Sequence, residues 1–169
     1  MDHLFSPWRY QYIREARSGG EGGSEKCVLC HELAGGSDER NLVVLRAQHN
    51  AILLNRFPYT SGHMMILPYA HCATLAECGA AARTEMMELA ARAEQALRAE
   101  YQAQGLNVGL NLGEAAGAGI AGHLHLHVVP RWGGDANFMS VIGETRVLPE
   151  ALSDTYTRLR RAFSSRPSV

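Results

Sequence analysis

The chain has 169 residues, of which 46% are hydrophobic, and a formal net charge of −1. Its length and apolar content predict a single domain with a buried core, and the near-neutral charge disfavours a broad basic surface for nucleic acid. No apolar run reaches the roughly 20 residues that span a bilayer, and the N-terminus lacks the basic-then-apolar layout of a signal peptide, so we expect a cytoplasmic protein with no membrane partner.

The first 26 residues are predicted to form a short helix followed by a loop. Apolar side chains, Trp8 among them, recur at helical spacing between about Asp2 and Ala16, which predicts a short docking helix. The segment from Ser18 to Glu25 is rich in glycine and small polar residues. Such residues do not specify a packed element, so we expect a flexible surface loop there.

Cys27 and Cys30 form a Cys-x-x-Cys pair, which has the spacing of half a tetrahedral zinc site. A structural site needs two further nitrogen or sulfur ligands from elsewhere in the chain. The alternative is a pair of reduced, partly buried thiols. The run from Cys27 to His31 also fits the c-type haem attachment pattern, but that attachment requires export and no export signal is visible.

The remaining elements are short apolar strands and two helices. Apolar residues form one stripe between Ala80 and Tyr101, with Arg and Glu opposite, as an amphipathic helix requires. The other expected elements are two strands within Asn41–Leu54 joined at Gln48-His49-Asn50, strands at His63–Leu67, Leu106–Leu112 and His123–Val129, and a helix at about Pro149–Phe163. This order predicts an α+β fold, an antiparallel sheet with one long crossover helix.

Three histidines alternate with apolar residues in the last predicted strand. Alternate side chains of a strand share a face, so His123, His125 and His127 are expected to lie on one surface at intervals of about 6.5 to 7 Å. Spacing alone also fits a metal-binding or merely half-exposed strand. The chemistry therefore depends on what surrounds the three imidazoles.

A glycine- and alanine-rich loop, Gly113–Gly122, leads directly into the histidines. Small residues let backbone amides converge on an anion without obstruction by side chains. Many such loops are simply turns, but this one precedes three in-line histidines. The combination favours a phosphate-binding site.

The sequence His123-Leu-His-Leu-His-Val-Val129 resembles, without substitution, the signature of the histidine-triad family. The stretches Leu54–His63 and Met64–Pro68 are similar to the nucleoside-pocket strands of its fragile-histidine-triad branch, and Pro7-Trp-Arg9, the cysteine pair and Pro130–Phe138 resemble bacterial relatives of diadenosine tetraphosphate phosphorylases. The resemblance implies a histidine-triad fold over residues 27–140, preceded by the segment 1–26 and followed by a helical extension over 141–169.

The resemblance implies a nucleotidyl hydrolase or phosphorylase acting on dinucleoside polyphosphates. His125 is the expected nucleophile, with its other ring nitrogen held by a backbone carbonyl, and His127 is expected to assist the phosphate or the leaving group. Asn55 matches a ribose-binding position, and His63 matches a pocket-flanking histidine with either a structural or a substrate role. The non-bridging oxygens are assigned to Asn111 and to the amides of Gly117, Ala118, Gly119 and Ile120.

The resemblance also implies a structural zinc ion and a homodimer. Zinc-containing relatives take their remaining ligands from positions that match His71 and His123, which would complete the set begun by Cys27 and Cys30. The alternatives in function are a noncatalytic nucleotide-binding or signalling module and a sugar-1-phosphate nucleotidyltransferase. The second is disfavoured because such transferases usually carry glutamine at the position of His127.

Overall fold

Five strands form one antiparallel sheet in the order β1-β2-β3-β5-β4. The computed structural model describes residues 23–135 and 150–165. Its strands are β1 (Val43–Arg46), β2 (Asn50–Leu54), β3 (Met64–Pro68), β4 (Gly105–Leu110) and β5 (Leu126–Arg131); its helices are α1 (Gly23–Lys26), α2 (Val28–Ala34), α3 (Ala80–Tyr101) and α4 (Leu152–Ser164), with a 3₁₀ turn at Glu114–Ala116. The predicted fold class is confirmed.

The long crossover helix α3 occupies the predicted range. Its apolar stripe is buried against the sheet, with Met86 and Leu89 each 2% exposed and Leu97 fully buried. The helix is followed by its C-cap residue Gln102, which adopts a left-handed conformation and donates its amide hydrogen to Leu97 O. The helical periodicity of apolar and charged residues therefore located this helix correctly, because only one of its faces is buried.

Helices pack on both faces of the sheet. One apolar cluster joins α3 and α4 to side chains of β1, β2, β3 and β5. The opposite face carries a smaller cluster in which Leu29 and Leu33 of α2 contact residues of β1, β2 and β3, including Met65. His127 pairs in register with Met65, and residues directly opposite on neighbouring strands share a face. His127 is therefore on the face that α2 covers.

The last strand differs from its prediction at both ends. It was expected at His123–Val129, whereas β5 begins at Leu126 and continues through Pro130 to Arg131. Leu124 donates its amide hydrogen to Cys72 O at 2.7 Å, outside the sheet ladder. Pro130 is tolerated because β5 pairs with β3 only as far as Val128. Beyond Val128 only β4 pairs with β5, so the missing N–H of Pro130 removes no hydrogen bond to β3. His123 and His125 therefore precede the strand, and only His127 lies in it.

Smaller differences concern loops and edges. The expected strand Leu106–Leu112 begins at Gly105 and ends at Leu110, and the end of the expected glycine-rich loop is the helical turn α1. The N-terminal helix with Trp8 lies outside the described residues, as does most of that loop, and the division into 1–26, 27–140 and 141–169 stays a prediction. Within the described ranges, no helix has the length and hydropathy of a membrane span.

Candidate functional site

Four predicted metal ligands come together between α2 and the sheet. The ligand atoms of Cys27, Cys30, His71 and His123 all lie within 4.8 Å of one another. His123 Nδ1 lies 3.4 Å from Cys27 Sγ and 3.3 Å from Cys30 Sγ, and His71 Nδ1 lies 3.3 Å from Cys30 Sγ. In a tetrahedral zinc site such sulfur–nitrogen edges measure about 3.5 Å. The donor set fits zinc, and the predicted cofactor site is confirmed as one that can hold a metal ion.

The environment of His123 leaves its metal-facing nitrogen available. Its Nε2 donates to Pro68 O at 2.9 Å, so the neutral ring carries its proton there and presents a lone pair at Nδ1. Burial lowers the pKa of His123 to about 4, partly opposed by that hydrogen bond. A carbonyl that holds the far side of a metal-bound imidazole is a common second partner in such sites.

The Cys30 thiol needs a nearby cation to become a good ligand. Burial and the neighbouring Cys27 raise the pKa of Cys30 to about 11. Thiolate is the form that binds metal, and a bound zinc ion deprotonates its thiols. Two sulfurs and two nitrogens would fill the tetrahedron and leave no open position, so the ion would be structural.

His125 is held in one tautomer by its own backbone. The ring is 6% exposed, and its Nδ1 donates to His123 O at 2.7 Å. The neutral imidazole therefore carries its proton on Nδ1 and a lone pair on Nε2. A neutral nucleophile with an oriented lone pair suits attack on a negatively charged phosphate.

His63 sets the tautomer of His127 through a short hydrogen-bond chain. The backbone amide of Tyr59 donates to His63 Nδ1 at 3.1 Å, so the proton of neutral His63 is on Nε2. That nitrogen lies 3.0 Å from His127 Nδ1 and donates to it. Neutral His127 then carries its own proton on Nε2, which makes that atom a donor. The ring of His127 lies 4.9 Å from that of His125, centroid to centroid.

A pocket in front of the two histidines gathers part of the predicted substrate site. Its walls are Leu29, Glu32, Asn55, Arg56, Phe57, Met65, Gly119, Ile120, His125 and His127. Asn55, Gly119 and Ile120 thus join the two histidines. Asn111, Gly117 and Ala118 are absent from this lining.

The backbone amides of the glycine loop differ in whether they are already hydrogen-bonded within the loop. Gly117 donates its amide hydrogen to Glu114 O at 2.9 Å, and Ala118 donates to Gly113 O at 3.3 Å. The amides of Gly119 and Ile120 have no hydrogen-bond acceptor in the part of the chain that the structure describes. These two amides are therefore the better placed pair for an anion.

Asn55 uses one end of its amide locally. Its Oδ1 accepts from the backbone amide of Phe57 at 2.9 Å, which is an Asx turn. The Nδ2 group is left as the donor that can meet a hydroxyl in the pocket. The Asx turn at Asn55 is thus compatible with the ribose-binding role expected for this residue.

Sequence reasoning missed the acidic and aromatic walls of the pocket. Glu32 and Leu29 lie three residues apart on α2, and Arg56 and Phe57 follow Asn55 directly. The sequence signal for Glu32 was its position about one turn after Leu29, which puts both residues on one face of α2. In a helix of only seven residues, however, periodicity does not predict which face packs against the rest of the protein. Asp135 orders the loop after β5, because it accepts from Arg131 Nε at 2.6 Å and from Trp132 N at 3.2 Å.

Comparison with known proteins gives consistent likenesses. A family model described as the HIT domain matches residues 37–134. The chain is 37% identical over 169 residues to the AP-4-A phosphorylase of Mycobacterium tuberculosis, covering 99% of this chain and 87% of that protein. It resembles the crystal structure of a Zn-bound histidine triad family protein from Mycobacterium smegmatis, with TM-score 0.69, 26% identity, and coverage of 85% of this chain and 96% of that one.

A fold likeness extends to a hypothetical histidine triad nucleotide-binding protein from Sulfolobus tokodaii. The TM-score is 0.65 at 20% identity, with 82% of this chain and 93% of that one covered. The family-model match includes the three histidines and His63 but begins after Cys30, whereas the alignment to the mycobacterial phosphorylase spans nearly the whole chain.

Proposed function

The chain belongs to the HIT-domain family of histidine-triad proteins, and on that premise we propose that it is an enzyme that cleaves dinucleoside polyphosphates, such as diadenosine tetraphosphate, through a nucleotidyl intermediate on His125. The observation that carries the proposal is the hydrogen bond from His125 Nδ1 to His123 O. It leaves the Nε2 lone pair in a pocket that His127 and Asn55 also line.

The first step forms a bond between His125 Nε2 and the α-phosphorus and breaks the bond from that phosphorus to the bridging oxygen. The electron pair leaves with the departing nucleotide, which is ATP when the substrate is diadenosine tetraphosphate. His127 Nε2–H donates to the departing oxygen, and the amides of Gly119 and Ile120 donate to non-bridging oxygens. Donors placed where negative charge develops are the main source of catalysis in such transfers.

In the second step an acceptor oxygen attacks the same phosphorus, and the N–P bond breaks to restore the lone pair of His125. Water as the acceptor gives AMP, and inorganic phosphate gives ADP. The near full-length likeness to a protein named AP-4-A phosphorylase supports phosphate as the acceptor. We therefore propose phosphorolysis in preference to hydrolysis.

The test is to incubate the zinc-replete protein with diadenosine tetraphosphate, with and without inorganic phosphate, and to separate the nucleotides. We expect ATP and ADP only when phosphate is present. The substitution His125→Ala should remove turnover, whereas His49→Ala, a histidine outside the pocket lining, should leave it unchanged. AMP formed at the same rate with or without phosphate would contradict phosphorolysis, and undiminished turnover by His125→Ala would contradict the whole proposal.

We also propose that the protein is a homodimer. Strand β4 is at one edge of the sheet, and Val108 on it is 48% exposed while Met87 on α3 is 60% exposed. Among the residues that the structure describes, β4 pairs only with β5, and apolar side chains on such an edge strand favour pairing with another chain. Light scattering coupled to gel filtration should give twice the chain mass, and a monomer at micromolar concentration would contradict this.

The cytoplasmic location and the absence of nucleic-acid binding stay predictions.

A further inference from the structure

Helix α2 supplies two neighbouring side chains to the substrate pocket. Leu29 and Glu32 both line it, and residues three apart lie on the same face of a helix. Leu29 is 1% exposed and shares the lining with Met65, Phe57 and Ile120. These apolar side chains form a slot beside the histidines that suits a planar ring such as a nucleobase.

One charged group interrupts this apolar slot. Glu32 is only 9% exposed, and its Oε1 accepts from Arg56 Nε at 2.6 Å. Arg56 is itself fixed, because its Nη2 donates to Arg40 O at 3.0 Å. Within residues 23–135 and 150–165, Glu32 Oε2 has no hydrogen-bond donor.

Glu32 Oε2 keeps contact with solvent, so a ligand that displaces water from the pocket must supply a hydrogen-bond donor in its place. A nucleobase in the slot can supply that donor from an exocyclic amino group. Arg56 holds Oε1 and so fixes the direction of Oε2. The carboxylate is therefore oriented before the ligand binds, which reduces the entropy cost of the contact.

We infer that Glu32 determines base specificity, its Oε2 accepting a hydrogen bond from the exocyclic amino group of a purine such as adenine. This inference rests on the proposed function, since it concerns the nucleotide bound in the same pocket. The ribose lies between base and phosphate and is assigned to Asn55, whose Nδ2 group is a donor. Glu32 lies instead beside Leu29, in the apolar part of the pocket.

The test compares two ligands that differ only in the amino group, AMP and purine riboside 5′-monophosphate. Their dissociation constants are measured by titration calorimetry on the full-length, zinc-replete protein. A hydrogen bond to a buried charged group corresponds to a preference for AMP of about tenfold or more. In Glu32→Gln, Arg56 retains the amide oxygen and the NH₂ group faces the base, so the preference should fall to about twofold or less. The exposed carboxylate variant Glu39→Gln should keep the wild-type preference.

Equal affinities of the wild-type protein for the two ligands would overturn the inference, and this comparison requires no variant to fold. A preference that persists in Glu32→Gln would also overturn it. The same holds if Glu32→Gln changes instead the ratio between AMP and 2′-deoxy-AMP, because Glu32 would then contact the ribose. Failure to bind any of these nucleotides would contradict the proposed function itself.

Discussion

The three histidines of the triad differ because each ring has a different partner. His123 turns one nitrogen to Pro68 O and the other to the cysteines. His125 donates to the backbone carbonyl of His123, just before β5, and His127 accepts from His63. Spacing in the sequence places the three together but cannot assign their protons, because Pro68 and His63 are far away along the chain.

His63 is a positioning residue in this account, and its replacement tests the tautomer of His127. In His63→Phe the ring volume is kept but the donor to His127 Nδ1 is lost, so His127 no longer has a fixed proton on Nε2. We expect kcat to fall about tenfold or more, with a smaller change in KM, since His63 does not line the pocket. Steady-state kinetics with diadenosine tetraphosphate measures both values.

The control is Tyr59→Phe, which keeps the backbone amide and the ring that stacks on His63 at 4.7 Å. Its kcat should stay close to that of the wild-type protein. A kcat in His63→Phe equal to that of the control would mean that His127 does not depend on His63.

At the scale of elements, the sequence predicted best those elements whose bounds depend on contacts between residues close together in the chain. The helix at Ala80–Tyr101 was located correctly because its pattern is local and repeats over six turns of one-sided burial. The start of β5 was placed too early because Leu124 donates to Cys72 O and the His123 ring binds Pro68 O. Residues 123–125 therefore lie outside the strand, and nothing in the alternation of apolar residues signals these contacts.

Helix α3 also secures the turn between β1 and β2 through one carboxylate. Glu85 accepts from the backbone amides of Gln48 and His49 and from Asn50 Nδ2, at 2.8 to 2.9 Å. Burial acts to raise the pKa of Glu85, but these hydrogen bonds outweigh it and hold the pKa below the usual 4.5. The charged form is thus the one that the fold favours.

The substitution Glu85→Gln should lower the free energy of unfolding by about 1–3 kcal/mol at neutral pH. Because the folded-state pKa is depressed, the contribution of Glu85 is present above pH 4.5 and is lost as the pH falls through the folded-state value. Denaturant unfolding at several pH values should therefore show the two proteins converging in acid. The exposed Glu88→Gln should match the wild-type protein throughout, and a difference that grows in acid would contradict the assignment.

At the scale of the whole molecule, the metal site joins three distant parts of the chain. Cys27 and Cys30 belong to the N-terminal end of the described structure, His71 follows β3, and His123 precedes β5. The sequence alone indicated the cysteine half through its spacing, and the family resemblance indicated the histidines. Neither indicated that α2 would also form a wall of the substrate pocket, because a short helix can dock through more than one face.

Removal of zinc should therefore loosen α2 and β5 together. We expect close to one equivalent of zinc per chain by elemental analysis, and chelation should lower the free energy of unfolding by several kcal/mol. Cys30→Ser should reduce the zinc content and reproduce the loss, while Cys78→Ser, outside the ligand set, should retain the metal. Metal-free protein with unchanged stability would contradict a structural role.

The central claim is that His125 carries the nucleotide between the two steps of the reaction. Rapid-quench trapping with radiolabelled diadenosine tetraphosphate tests it most directly. The account predicts acid-labile adenylylated protein within the first turnover, with the label on His125 and absent from His125→Ala. Normal turnover without any labelled protein at any quench time would contradict it.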